Sequence, residues 1–192
     1  MKIKKINIKI EFIEKMLGTA PDPEIYGKYI ASLAPEGTDT KDEIATLDSI
    51  EEKGTTRFHK DEMGLFIYNY MVIGFLKEAG NSLKDQVGIK ALKSKIEQFV
   101  FVNPRKIYLY KEQPDGTFER PKRVNGPMGP QSTLGRSEYV NAGTQIEFEI
   151  TLFDHKEITA DVIKEIMEYG QFKGLGQWRN GGYGAFKVIG FE

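Results

Sequence analysis

Two segments of the chain alternate apolar and polar residues with the two-residue period of a β-strand. Residues 2–12 and 142–153 each place four large apolar side chains on one face and mostly charged or amide side chains on the other. The apolar positions are Ile6, Ile8, Ile10 and Phe12 in the first segment, and Ile146, Phe148, Ile150 and Leu152 in the second. This pattern predicts two half-buried strands whose outer faces meet solvent or a ligand.

Three further segments have the spacing of amphipathic helices. Residues 65–79 predict the first helix, and Gly80 predicts its end. Residues 83–97 predict the second helix. The third begins after Thr159, a favourable N-cap residue, and Gly170 predicts its end. The inward-facing side chains of the first helix are Val72, Phe75, Leu76 and Ala79.

The middle of the chain carries strand and turn signals. Residues 99–112 predict a strand that Pro104 interrupts, because proline cannot donate a hydrogen bond to a neighbouring strand. The sequence Pro-Asp-Gly that follows predicts a turn, and with it a β-hairpin over residues 106–123. Residues 125–135 are rich in Gly and Pro and predict a loop.

The predicted elements follow one another as strand, helices, strand with hairpin, strand, helix and a final strand over residues 182–192. Reduced to its main elements, this is the βαββαβ order of a ferredoxin-like, RRM-like α+β fold with an extra β-hairpin. Residues 18–56 are rich in Pro, Gly, Thr and acidic residues, with short helices predicted at 24–33 and 41–52. We interpret residues 18–60 as an insertion or lid within a single domain over the whole chain.

Composition excludes several classes of function. The chain has no cysteine and two histidines, so we expect no disulfide, no metal site and no cofactor. It contains no apolar stretch long enough to cross a membrane, and we expect a cytoplasmic protein. The net charge is −1, so a nucleic-acid site has to be a local basic patch.

The strongest signal for a ligand is the segment between the third helix and the last strand. Five glycines lie within residues 174–184. Glycine permits positive φ and close approach of the backbone to a ligand, and successive amides in such turns bind anions. Basic side chains add charge, aromatic rings offer stacking surfaces for bases, and amide side chains can bind base edges. The predicted ligand-binding residues are Lys173, Gly174, Gly176, Gln177, Trp178, Arg179, Asn180, Gly182, Tyr183, Gly184 and Arg136.

This segment, which we call the glycine loop, is neither of the two common phosphate-binding motifs. It lacks the GxxxxGK[ST] pattern, and it follows a helix and precedes a strand, the reverse of the dinucleotide-binding order. A purely structural glycine turn is the alternative interpretation. A second basic patch is formed by Arg120, Lys122 and Arg123; in the hairpin it would either meet the glycine loop or remain ordinary surface charge.

The spacing Gly174-x-Gly176-x5-Gly182-x-Gly184 before a last strand resembles the signature loop of the RAMP superfamily. These are RRM-like RNA-binding proteins of CRISPR systems, and the more similar members are small stand-alone proteins of phages and mobile elements. Residues 61–79 and 136–154 resemble two further segments of the family. The resemblance implies an RRM-like fold and an RNA ligand. At the position of a family lysine expected near RNA, this chain has Ile73, directly before Gly74.

Catalytic signals are weak by comparison. His59, beside Lys60 and Asp61, is the candidate general base for RNA cleavage, although a histidine in such a loop is more often a bystander. Asp61 loosely matches the acid that some RAMP-like proteins use. His155 fits a turn. Glu147 and Glu149 lie on one exposed strand face, where solvation explains them.

The leading hypothesis is a non-catalytic protein that binds RNA or a nucleotide through the glycine loop. One alternative is an anti-defence protein of a phage or mobile element that mimics a CRISPR subunit or sequesters a nucleotide signal. A second is a metal-independent endoribonuclease using His59. Partners expected besides the ligand are a host defence or CRISPR protein and further copies of the chain, with no membrane.

Overall fold

The computed structural model describes residues 2–20, 55–126 and 129–192. In chain order its strands are β1 (Ile3–Phe12), β2 (Met16–Leu17), β3 (Thr55–Thr56), β4 (His59–Asp61), β5 (Gly64–Tyr68), β6 (Val100–Asn103), β7 (Lys106–Tyr108), β8 (Gly116–Gly126), β9 (Gly129–Val140), β10 (Gln145–Phe153) and β11 (Phe186–Phe191). Its helices are α1 (Asn69–Val87), α2 (Leu92–Phe99) and α3 (Ala160–Glu168).

The main sheet has four antiparallel strands in the order β11-β1-β10-β6. Taken with α1 after the first strand and α3 before the last, this is the βαββαβ connectivity of a ferredoxin-like fold. The predicted fold class is therefore confirmed. Both predicted alternating segments form strands, β1 and β10, and they lie side by side at the centre of the sheet.

The inner face of the main sheet forms the core with the helices. The alternating apolar residues of β1 and β10 are all buried there, because period-two spacing points them to one side. The outer face carries ion pairs, Lys9 2.7 Å from Glu147, Lys5 3.1 Å from Glu149 and Lys187 2.7 Å from Glu11, and it also exposes the apolar side chains of Ile3, Phe101 and Ile189. Exposed pairs of this kind contribute about 0–1 kcal/mol each. Each of these three lysines therefore has a carboxylate partner on the same face.

The helix boundaries differ from the prediction at Gly80. Residues 64–68 form β5, and α1 runs through Gly80 to a left-handed C-cap at Gly88. A Cβ on Gly80 would lie 2.5 Å from Cδ1 of Ile96, so this glycine lets α2 pack closely against α1. The predicted helix over 83–97 is thus the end of α1 followed by α2. The glycine that looked like a stop signal is a packing contact.

The third helix begins as predicted. The Thr159 side chain accepts a hydrogen bond from the Val162 amide at 3.4 Å, which satisfies one free N–H of the first turn. Its predicted end is wrong in mechanism. Gly170 lies in a 3₁₀ turn, Tyr169–Gln171, and a Cβ there would lie 2.2 Å from the ring of Phe186. Gly170 makes room for the core.

The hairpin and loop of the middle segment are also corrected. The predicted hairpin over 106–123 is wrong because β7 pairs with β5, whereas β8 pairs with β9 in a long antiparallel hairpin. The predicted loop over 125–135 falls largely within that hairpin. Pro104 does separate β6 from β7, as expected. Strand β9 also pairs with β2 and β3, so the hairpin lies beside both ends of the inserted segment.

Part of the inserted segment can be described. Met16–Leu17 and Thr55–Thr56 form β2 and β3, and Ala20 pairs with Arg57. The helices predicted at 24–33 and 41–52 lie outside the described residues. No helix in the ranges described above is both long and apolar enough to cross a membrane.

Candidate functional site

The glycine loop closes on itself and on the turn between β1 and β2. The Leu175 amide donates a hydrogen bond to the Gly184 carbonyl at 3.0 Å, and the Gly184 amide donates to the Lys15 carbonyl at 2.7 Å. A short 3₁₀ turn, Arg179–Gly181, forms the tip. The two arms of the loop therefore touch through their backbones.

Three of the glycines are explained by this packing. A Cβ on Gly174 would lie 1.7 Å from the Gly184 carbonyl oxygen, and one on Gly184 would lie 1.7 Å from the Leu175 carbonyl oxygen. Gly176 has a φ of +89° and lies against the Leu17 carbonyl. No side chain fits at such distances. The alternative interpretation of a structural turn thus accounts for these positions, and their contact with a ligand stays a prediction.

The loop amides divide into two groups. Those of Leu175, Gly181, Gly182 and Gly184 are hydrogen-bonded within the protein. Within the described ranges, the successive amides of residues 176–178 donate no hydrogen bond. A phosphate would therefore meet this second group. The sequence could not make this distinction, because it depends on which carbonyls the fold brings near.

The aromatic residues of the loop form a cluster with the β8–β9 hairpin. The ring centroids of Trp178 and Tyr183 lie 6.1 Å and 5.3 Å from that of Phe118 on β8. The Arg120 guanidinium lies 4.0 Å above the Trp178 ring, a cation–π contact. The basic hairpin patch thus meets the loop through Arg120, while the side chains of Lys122 and Arg123 lie outside the described part. Phe118 was missed by sequence analysis; its signal was a lone aromatic residue between polar ones.

The two basic side chains of the loop share one carboxylate. Lys173 pairs with Glu78 on α1, and Arg179 lies 2.6 Å from the other oxygen of the same side chain. The hydrogen bond from Lys173, together with the charge of Arg179, holds the pKa of Glu78 below its usual range. Two cations and one anion leave a net positive charge. Glu78, which ties the loop to α1, was not predicted.

Replacing Glu78 with Gln should strengthen binding of a phosphate-bearing ligand. The change releases both cations from their pair, so the local charge rises by one unit. We expect tighter binding of RNA at low salt, with a steeper loss of affinity as salt is added. Isothermal titration at two salt concentrations measures this. Unchanged affinity and salt dependence in Glu78→Gln would show that these cations do not face the ligand.

The remaining predicted site residues have mixed surroundings. The Gln177 side-chain oxygen lies 3.4 Å from the hydroxyl oxygens of both Thr56 and Ser137. Asn180 is exposed at the tip. Arg136 lies 2.6 Å from Glu119 across the hairpin, in a geometry that is an ion pair without being a directed hydrogen bond. Gln177 therefore connects the glycine loop to β3 and β9, and Arg136 pairs with Glu119 within the β8–β9 hairpin.

A cleft of about 430 Å³ lies between the glycine loop and α1. Gly176 and Arg179 belong to one wall and Gly74 to the other; the full lining is Thr19, Tyr70, Met71, Gly74, Phe75, Leu175, Gly176 and Arg179. The cleft combines apolar side chains with one basic residue, Arg179. It is also lined by Gly176, whose amide donates no hydrogen bond within the described residues. Such a combination suits a ligand with both an anionic and a flat apolar part.

The candidate catalytic residues lie in a separate cluster. His59 packs against Phe66 and Tyr68, with ring centroids 5.6 Å and 4.7 Å away, and burial lowers the pKa of His59 below its ordinary value. Asp61 accepts hydrogen bonds from Lys106 at 2.5 Å and Tyr108 at 3.0 Å. The contact with Lys106 holds the pKa of Asp61 below its usual range. Both side chains thus contact residues of the three-stranded sheet formed by β4, β5 and β7.

Other titratable groups fit the ordinary interpretations. His155 accepts a hydrogen bond from the Glu157 amide at 3.1 Å in the turn before α3. Glu147 and Glu149 are paired with the lysines of β1 on the outer sheet face. Among the described residues, no group of three or more His, Asp or Glu side chains is placed to hold a metal ion.

Comparison with known proteins supports the fold. The chain is similar to a protein chain in the cryo-EM structure of the Type III-B Cmr-β bound to cognate target RNA, with a TM-score of 0.55 and 12 % sequence identity. The similarity covers the whole of this chain and 60 % of that chain. At this identity it establishes a shared fold. No protein-family model matches the sequence, and no curated protein matches it.

Proposed function

We propose that this chain binds RNA in the cleft between α1 and the glycine loop, as a RAMP-like protein related to the subunits of type III CRISPR complexes. The observation that carries the proposal is the cleft itself, which Gly176 and Arg179 of the loop line together with apolar residues of α1. RNA offers the matching chemistry: phosphate for the amides and the cation, and bases for the apolar and aromatic surfaces.

Two independent lines support an RNA ligand. The glycine spacing resembles the RAMP signature loop, and the fold is shared with a chain of a type III-B complex bound to target RNA. The outer face of the main sheet is the competing surface: it exposes Ile3 and Phe101, but the lysines of its central strands are paired with glutamates. We therefore infer that RNA binds at the loop end of the molecule and not across the sheet, with the chain acting as one domain.

The chain spans 60 % of the length of its structural neighbour, so its role in an assembly is also a proposal. We infer an RNA-binding function without catalysis, because His59 and Asp61 are occupied in side-chain packing away from the cleft lining. A CRISPR-type protein or further copies of this chain are the partners that the shared fold favours.

A fluorescence titration tests the proposal directly. Trp178 is the only tryptophan and lies in the loop, so its emission reports on the site alone. We expect saturable quenching by single-stranded RNA, with an affinity that falls as salt rises because phosphate contacts release counterions. Absence of any spectral change at low salt, together with absence of binding in a filter assay, would overturn the proposed function.

Removing the side chains of Trp178 and Arg179 together should abolish binding. The double variant Trp178→Ala/Arg179→Ala loses the aromatic ring beside Arg120 and a basic side chain that lines the cleft. We expect at least about a hundredfold loss of affinity for labelled RNA, measured by fluorescence anisotropy. Both side chains are partly exposed, so circular dichroism should show the fold retained. Retained affinity in the folded variant would contradict the assignment.

A further inference from the structure

A second aromatic cluster lies next to the cleft, on the small sheet of β4, β5 and β7 and the first turn of α1. The rings of Tyr68 and Tyr70 are stacked, with centroids 5.4 Å apart and planes 19° apart. His59 meets the edge of the Tyr68 ring, and Tyr68 packs at right angles to Phe66. Buried Phe66 thus supports Tyr68, and Tyr68 supports Tyr70.

Tyr70 is the outermost ring of this stack, with 61 % of its surface exposed. An isolated exposed tyrosine loses rotamer freedom when it binds a ligand. Because the Tyr70 ring already stacks on Tyr68, we expect this entropic cost to be smaller. An aromatic ring held with its outer surface open to solvent offers a stacking surface for a base, and such stacking is tolerant of sequence.

The cluster carries positive charge of its own. The Arg105 guanidinium lies 5.7 Å from the centre of the Tyr68 ring, and within the described residues it forms no ion pair. Lys106 lies 4.7 Å above the Phe66 ring and is paired with Asp61. Arg105 is therefore the cation available to a phosphate beside the stack.

The cluster and the glycine loop border the same cleft. Tyr70 lines it from the side of α1, and Arg179, next to Trp178, lines it from the side of the loop. Tyr70 and Arg179 thus lie on opposite walls of one cleft, whereas Trp178 packs against Phe118 and Arg120 of the hairpin, outside the cleft lining. A ligand that contacts both Tyr70 and Trp178 has to extend beyond the cleft, which calls for several linked nucleotides.

We infer that Tyr70 and Arg105 form a second base-stacking subsite, so that the ligand is a single-stranded RNA segment and not a small nucleotide signal. This inference rests on the proposed function and specifies its ligand. In this inference Tyr70 and Arg105 contribute to binding affinity, and they do so whether or not His59 has a catalytic role.

The test measures how RNA affinity depends on oligonucleotide length, and whether this dependence requires an aromatic ring at residue 70. Anisotropy with a labelled oligouridylate decanucleotide and competition with the dinucleotide give the gain in affinity with length. In the wild-type chain we expect the decanucleotide to bind at least about tenfold more tightly, the size of one base–aromatic stack. Tyr70→Leu should remove this gain, whereas Tyr70→Phe, which keeps the ring, should retain it.

Two further variants complete the design. Arg105→Gln should lower the dependence of decanucleotide affinity on salt by one phosphate contact. Tyr110→Leu serves as the matched control, because Tyr110 is 71 % exposed and does not belong to the stack; its affinity should equal that of the wild type. Tyr70 and Tyr110 are both exposed, so neither change should unfold the chain.

The outcomes separate the two proposals. Equal affinity for decanucleotide and dinucleotide, or a length gain that survives Tyr70→Leu, overturns the second subsite while the glycine-loop site stands. Loss of binding in Trp178→Ala/Arg179→Ala with the length gain removed by Tyr70→Leu supports both. If the wild-type chain binds neither ligand, the proposed function itself fails.

Discussion

Substituting Gly184 with Ala should lower the free energy of unfolding by about 3 kcal/mol. The residue has a φ of +71°, where a non-glycine residue costs about 1–2 kcal/mol. Its new Cβ would also lie 1.7 Å from the Leu175 carbonyl oxygen, and relieving an overlap of this kind by shifting backbone costs about 1–3 kcal/mol more. Urea unfolding followed by circular dichroism, at constant slope, measures the change.

Gly182→Ala is the matched control. Gly182 also has a positive φ, +87°, but a Cβ there would meet no heavy atom within 4 Å. Only the conformational strain of about 1–2 kcal/mol should appear. Equal destabilisation in the two variants would show that the contact between the arms of the loop is not what requires glycine at 184. A larger loss at Gly184 supports the closed loop as the base of the site.

The βαββαβ order was predictable because it depends on local signals. The alternation is strict over residues 5–12 and 145–152, and a one-residue shift would expose every buried apolar side chain of these central strands. Thr159 was predictable as an N-cap for the same reason, since the hydrogen bond it accepts comes from an amide three residues away.

The errors share a physical cause. Gly80 and Gly170 were interpreted as helix ends because glycine usually acts through its own backbone. In the structure each accommodates a distant side chain, Ile96 in one case and Phe186 in the other. The pairing of β8 with β9 was also not predicted. Residues 125–135 are rich in Gly and Pro, which favour a loop, whereas in the structure most of them belong to the two strands and Gly129 has a φ of +101°.

The candidate site was predictable in its loop but not in its walls. The glycine spacing predicted a site at residues 174–184, and contact of the basic hairpin patch with this loop was one of two interpretations, the other being ordinary surface charge. The opposite wall comes from α1, whose exposed face carries no signal for a ligand in the sequence. Glu78 is an ordinary helix-surface residue until the fold brings Lys173 and Arg179 to it. Contacts between residues a hundred positions apart have no local signature.

Filling the cleft from the side of α1 should weaken RNA binding while leaving the fold intact. Gly74 lines the cleft, and a Cβ built there meets nothing within 4 Å. In Gly74→Leu the side chain would occupy space that the ligand requires. Leucine is also favoured over glycine within a helix by about 0.5–1 kcal/mol, so stability should rise or stay constant. We expect at least about a tenfold loss of RNA affinity by anisotropy, the equivalent of one lost contact of about 1.4 kcal/mol.

Gly74→Ala separates blocking from any effect of the helix itself. Alanine gives the same gain in helix propensity but adds a single methyl group to a cleft of about 430 Å³. It should bind RNA nearly as well as the wild type and unfold at higher urea concentration. If Gly74→Leu binds as tightly as Gly74→Ala, RNA does not enter the cleft. If only the leucine variant loses binding while both remain folded, the cleft is the RNA site, because no residue of the glycine loop was altered.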